Sequence, residues 1–127
     1  MAPLLVDTSV LIDHLRGLGP AVDRLKAALD AGDELWSFTV VRTEILAGAR
    51  PAEEEPIARL FGLIRWLDVT PELADAAGRL ASTYLRSHPG VDTVDYLIAA
   101  GAEHLGAKLL TLNIRHFPMF PSLHRAY

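Results

Sequence analysis

The chain has 127 residues, half of them hydrophobic, which suits one domain able to bury a core of its own. It has no cysteine, which excludes a thiolate nucleophile, a Cys-based zinc site and a disulfide framework, and fits a reducing compartment. Its 16 acids against 12 bases give a net charge of −4, a poor balance for binding nucleic acid, although ten of the bases are Arg, the side chain suited to bidentate phosphate contact.

No stretch approaches the roughly 18–20 unbroken apolar residues that span a membrane. The opening Met-Ala-Pro-Leu-Leu-Val-Asp lacks the basic start and long apolar run of a secretory signal, so the expected location is the cytoplasm. There is no internal repeat or linker; residues 1–127 read as one domain.

Short apolar runs alternate with helical patterns, the signature of βαβ units. Leu4-Leu5-Val6 is predicted as a first buried strand, followed by a helix from Ser9 to Leu15. Val22, Leu25, Ala28 and Leu29 recur at helical spacing over residues 20–31. Leu35–Phe38 reads as a second strand and residues 39–49 as the next helix. Arg50–Pro56 is a turn into a helix marked by Ile57, Leu60, Phe61 and Ile64. Trp66–Val69 is the third strand, and Leu73–Tyr84 and Val94–Leu105 are amphipathic helices. Lys108–Thr111 is a fourth strand and Pro121–His124 a short fifth. The expected architecture is α/β, a mostly parallel sheet of about five strands flanked by helices.

The distinctive chemistry is carboxylic. Asp7 ends the first strand, where open α/β sheets place functional groups, yet it serves equally well as the cap of the helix that follows. Glu44 lies among Val40, Val41 and Ile45 and is expected to point from the apolar face, where a lone carboxylate is costly unless paired; the alternative is an acid at the stripe's edge that reaches solvent or a nearby Arg such as Arg42. Asp92 and Asp95 stand three apart at a helix start. Asp92 reads as the N-cap, while Asp95 sits nearer the apolar stripe. Asn113, after the fourth strand, has an amide that can hold a water or a substrate hydroxyl. His116 has no second His at ligand spacing, which argues against a zinc pair. Three carboxylates at one locus repel unless a hard divalent cation such as Mg²⁺ or Mn²⁺ neutralises them. From the residues alone, the expectation is an acidic metal site made by Asp7, Glu44 and Asp95 at the carboxyl edge of the sheet.

Four segments resemble, in order, motifs of the PIN-domain nucleases, and in particular of the VapC toxins of bacterial toxin–antitoxin pairs. They are Leu5–Ile12 with Asp7, Glu44–Gly48, Asp95–Ala100 and Thr111–Phe117. The resemblance implies a single PIN-like domain and an endoribonuclease that cuts RNA, usually tRNA or ribosomal RNA, with Mg²⁺ or Mn²⁺. It carries over Asp7, Glu44 and Asp95 as catalytic metal ligands and Asn113 as a fourth catalytic position, where many members have an acid. Thr8, Asp92, Thr111 and Arg115 join the motifs as additional site candidates. The resemblance further implies a small VapB-like antitoxin as partner, and a homodimer through the apolar residues around Ala47–Ala49 and Ile57–Leu63, which serve equally well as core. Two alternatives stand beside it: a receiver-like signalling domain, which lacks here an acidic neighbour for Asp7 and a Lys at the end of a late strand, and a PIN-like module that binds RNA without cutting it.

Overall fold

The computed structural model describes residues 2–127. Four strands form one parallel sheet: β1 (Pro3–Val6), β2 (Glu34–Phe38), β3 (Arg65–Leu67) and β4 (Lys108–Leu110), in the order β3-β2-β1-β4. The helices are α1 (Thr8–Leu15), α2 (Gly19–Asp30), α3 (Thr39–Ala47), α4 (Glu54–Gly62), α5 (Pro71–Tyr84) and α6 (Thr93–Leu105). Short 3₁₀ turns cover Pro51–Glu53 and Ile114–His116. Among the described residues no helix is long and apolar enough to cross a membrane.

The unbroken apolar run of β1 follows from its central place. It pairs with β2 on one side, Leu4 opposite Leu35, and with β4 on the other, Leu5 opposite Leu109. Leu4, Leu5 and Val6 are all buried, as expected of a parallel strand covered on both faces. Helix α6 is buried from Asp95 to Ala102, because one side meets β1 and β2 while the other meets α5. Gly101 allows that approach: a Cβ there would collide with the ring of Phe38. A left-handed Gly106 (φ 61°) ends α6 and turns the chain into β4.

Strands β1, β2 and β3 step outward in one direction, and β4 then returns to the opposite side of β1. The strand order therefore reverses at the β1–β4 boundary. In open α/β sheets the crevice beyond the carboxyl ends at such a reversal is where ligands bind. Asp7 and Thr111 are the first residues past those two ends.

The expected fifth strand is absent: the sheet has four strands among the described residues. Pro118 and Pro121 supply no N–H for a ladder. The amides of Phe120 and Leu123 are used in tight turns, bonding back to Phe117 and Phe120. Only Ala126 N–H reaches the β4 side, at Thr111 O (2.9 Å). A cavity of about 420 Å³, walled in part by Leu109, Met119 and Leu123, is left between this segment and the neighbouring β4 and α6 residues.

Candidate active site

Asp7 leaves β1 in an extended conformation (φ −75°, ψ 157°) and caps α1. Its amide donates to Leu110 O at 2.9 Å, which ties the backbone to β4. The carboxylate is buried, and protein donors converge on it. Thr8 N–H donates to Oδ1 at 2.8 Å; Thr111 Oγ1 and Ser9 Oγ donate to Oδ2 at 2.7 and 3.2 Å. The cap and the candidate catalytic carboxylate are thus one group, with one oxygen turned to the helix and the other to hydroxyls. The hydroxyls are held in turn: Ser9 Oγ accepts from Leu112 N–H (3.4 Å) and Thr111 Oγ1 from Asn113 N–H (3.0 Å).

Glu44 departs from the sequence expectation. Helix α3 buries only Val41 and Ile45, and the side chain of Glu44 is exposed on the flank beside the β1–α1 turn. A wheel position next to an apolar stripe does not fix which side of its edge the carboxylate takes. The residue that engages it is Thr8, whose hydroxyl donates to Oε1 at 2.9 Å. Thr8 thereby joins the two acids, its amide on Asp7 and its hydroxyl on Glu44. Arg42 is turned elsewhere, over the rings of Phe61 and Trp66 at 4.5 and 4.9 Å.

Asp92 and Asp95 form a reciprocal capping box at the start of α6. Asp92 Oδ1 accepts from Asp95 N–H and Asp95 Oδ2 from Asp92 N–H, both at 3.1 Å. Their environments differ: Asp92 is exposed, while Asp95 is 8 % exposed. Burial pushes the Asp95 carboxyl up to about 6, reinforced by the negative charges of Asp92 and Asp7 and opposed by the Asp92 N–H and by His116. His116 Nδ1 stands 3.3 Å from Asp95 Oδ2. Asn113 and Arg115 are exposed on the loop after β4, and the Asn113 side chain caps nothing.

The fold thus gathers Asp7, Thr8, Glu44 and Thr111 into one hydrogen-bonded chain and places Asp95 within the field of Asp7. It leaves Asp92 as a cap and Asn113 and Arg115 beside the cluster. Two contacts have no counterpart in the sequence reading. Ser9 is signalled only by its place two residues after a strand-end acid. His116, set apart from zinc chemistry, is signalled by nothing local, because its partner lies on another element.

Among the described residues, no three His, Asp or Glu side chains stand close enough together to enclose a metal ion unaided. The donor set nevertheless fits Mg²⁺ or Mn²⁺. Mg²⁺ takes only one or two carboxylates directly and keeps several waters, and a carboxyl raised chiefly by burial and further by neighbouring acids gains from a cation.

The sequence pattern of the PIN domain family matches residues 4–119. Ribonuclease VapC19 of Mycobacterium tuberculosis is 46% identical over 123 residues, covering 97% of this chain and 98% of that protein. Ribonuclease VapC10 of the same organism is 42% identical over 121 residues, covering 94% and 90%. Among solved structures, VapBC2 from Rickettsia felis bound to a DNA fragment from its promoter matches in fold, with a TM-score of 0.80 at 16% identity over 95% of each chain.

Proposed function

The chain belongs to the PIN domain family, and from that premise we propose that it is a VapC-type endoribonuclease toxin acting on tRNA or ribosomal RNA in the cytoplasm. The observation that carries the reading is the hydrogen-bonded chain Thr111–Asp7–Thr8–Glu44 at the reversal of strand order, with Asp95 beside it. Family membership leaves no place for a receiver-like signalling domain.

Asp7, Glu44 and Asp95 are the residues that would hold Mg²⁺ or Mn²⁺, one or two of them directly and the rest through the ion's waters. Such an ion supplies Lewis acidity, lowering the pKa of water toward neutrality and offsetting charge on a scissile phosphate. The protein's own part is positioning. Thr111, Ser9 and the Thr8 amide fix the rotamer of Asp7. The Thr8 hydroxyl holds Glu44 on its exposed helix flank, beside the turn that carries Asp7. The Asp92 amide and His116 orient Asp95. Asn113, exposed on the loop after β4, offers its amide to substrate.

A small VapB-like antitoxin is the proposed partner. An acidic cluster without its cation is a strong site for a guanidinium, which satisfies carboxylates bidentately, so an Arg or Lys of the antitoxin tail would silence the site. For a homodimer through the segments named above, Leu46, Ala47, Ala58 and Leu63 are exposed apolar groups; Ile57, Leu60 and Phe61 belong to the core.

The test is to incubate the purified antitoxin-free chain with tRNA and ribosomal RNA, with Mn²⁺ and with a chelator. Cleavage is expected only with the metal and only when Asp7 is intact. A folded Asp7→Asn variant that cuts at the wild-type rate would remove Asp7 from the mechanism; RNA that stays whole and bound would favour a non-cutting module.

A further inference from the structure

Past His116 lies a cavity of about 300 Å³ lined by Leu112, Asn113, Ile114, Arg115, His116 and Arg125. We propose that it is a phosphate-binding subsite for the RNA strand, seating the backbone phosphate of a nucleotide beside the one that is cut. The inference rests on the ribonuclease reading and assigns to it Arg115 and Arg125, which the acid cluster does not use.

Three observations converge. The first is charge. The cavity lining carries two guanidiniums and an imidazole and no carboxylate, in a chain whose net charge is −4. Among the described residues neither Arg115 nor Arg125 is ion-paired, whereas Lys26, Arg59 and Arg65 each have an acid. The cavity on the Glu44 side provides the contrast: there Arg16 and Arg50 share the lining with Glu44 and Glu53, so its charges balance. Of these two cavities beside the acid cluster, the one on the His116 side presents uncompensated cation to an incoming phosphate.

The second is position. His116 belongs to the cavity lining and to the acid cluster at once, at 3.3 Å from Asp95. A strand with its scissile phosphate at the carboxylates that leaves past His116 reaches this cavity next. The third is shape. The volume lies at the low end of ligand pockets, the scale of one nucleotide, and Ile114, 37% exposed, gives an apolar surface for a sugar or base edge.

The experiment measures binding separately from cutting. A fluorescent single-stranded RNA is titrated with the full antitoxin-free chain in chelator, by anisotropy, over a series of salt concentrations. Arg115→Ala and Arg125→Ala are each expected to weaken binding about tenfold and to lower the salt slope by about 0.7, the contribution of one phosphate contact on a single strand. Arg79→Ala, on an exposed part of α5, is expected to change neither. Arg125→Lys is expected to keep the slope and lose part of the affinity, since charge remains and the planar fork does not. Circular dichroism of each variant checks that the fold is retained.

Wild-type affinity and slope in both alanine variants, with wild-type protein binding RNA, would overturn the subsite and leave the ribonuclease reading in place. Wild-type protein that neither binds nor cuts RNA would overturn both. Variants that keep RNA affinity but no longer hold the antitoxin would assign the cavity to that protein instead.

Discussion

The hydroxyl of Thr111 donates to Oδ2 of Asp7 over 2.7 Å, joining residues 104 positions apart at the ends of two neighbouring strands. Both residues are buried, so the bond is made away from competing water. Thr111 also accepts the Asn113 amide, and so fixes the loop that leads to His116. Thr111→Val keeps the shape and removes both functions. The expected cost is about 1–3 kcal/mol of stability, since a buried carboxylate oxygen and an amide each lose a partner. Cleavage should fall by roughly one to two orders of magnitude through misplacement of Asp7. Melting curves and single-turnover rates measure the two effects; a variant as active as wild type would show that Asp7 needs no such hold.

Asp95 makes stability depend on pH in a direction that can be worked out. Its carboxyl is raised from 3.8 to about 6 in the folded protein, chiefly by burial. The folded state therefore holds the proton more tightly than the unfolded state between those values. The stabilisation from protonation is complete below about pH 4 and is lost as pH rises through about 6. Asp95→Asn removes the titration. In chelator, the variant should gain on wild type as pH goes from 4 to 7, by roughly 2 kcal/mol, and with Mn²⁺ restored it should cleave no RNA where wild type does. A stability difference that stays flat across that range would mean that folding does not lift this group.

The four strands and the helices between them were legible because each announces itself locally, the strands as apolar runs and the helices by periodicity. The segment after Phe117 was not. Pro121–His124 has the short apolar look of a strand, but the prolines and the turns that consume its donors keep it from pairing. The acids at strand ends and helix starts were legible as candidates for the same local reason. Their partners were not: the Thr8–Glu44 and His116–Asp95 contacts arise only when α3 packs beside the β1–α1 turn and β4 returns to β1. Periodicity placed Glu44 near an apolar stripe, but only packing turned it to the exposed flank.

Asp92 and Asp95 exchange hydrogen bonds but should not exchange roles. Asp92 is exposed and its Oδ1 serves the Asp95 amide, a task that an Asn side-chain oxygen performs nearly as well. Asp92→Asn is expected to cost about a few tenths of a kcal/mol and to leave most of the cleavage rate. Rates at saturating Mn²⁺, measured side by side with Asp95→Asn, decide the matter. An equally deep loss in both variants would make Asp92 a ligand as well as a cap.

Two glycines in helices should respond to alanine with opposite signs. Gly101 lies in α6 against the buried ring of Phe38. An added Cβ would collide with Cε2, stand 2.7 Å from Cζ, and meet Leu67 at 3.4 Å. Phe38 is fully buried and cannot swing away without disturbing β2, so Gly101→Ala forces α6 off the sheet or the ring out of its rotamer. Overpacking of this kind costs about 1–3 kcal/mol, which for a domain of this size lowers the melting temperature by roughly 4–12 °C. Because α6 carries Asp95 in its first turn, the displacement should reach the active site and reduce cleavage as well. Gly78, by contrast, lies in α5 with open space where its Cβ would be. Gly78→Ala should raise stability by about 0.5–1 kcal/mol through helix propensity alone and leave activity untouched. Calorimetry on the pair is the check: equal shifts of the same sign would show that the approach of α6 to Phe38 does not require glycine.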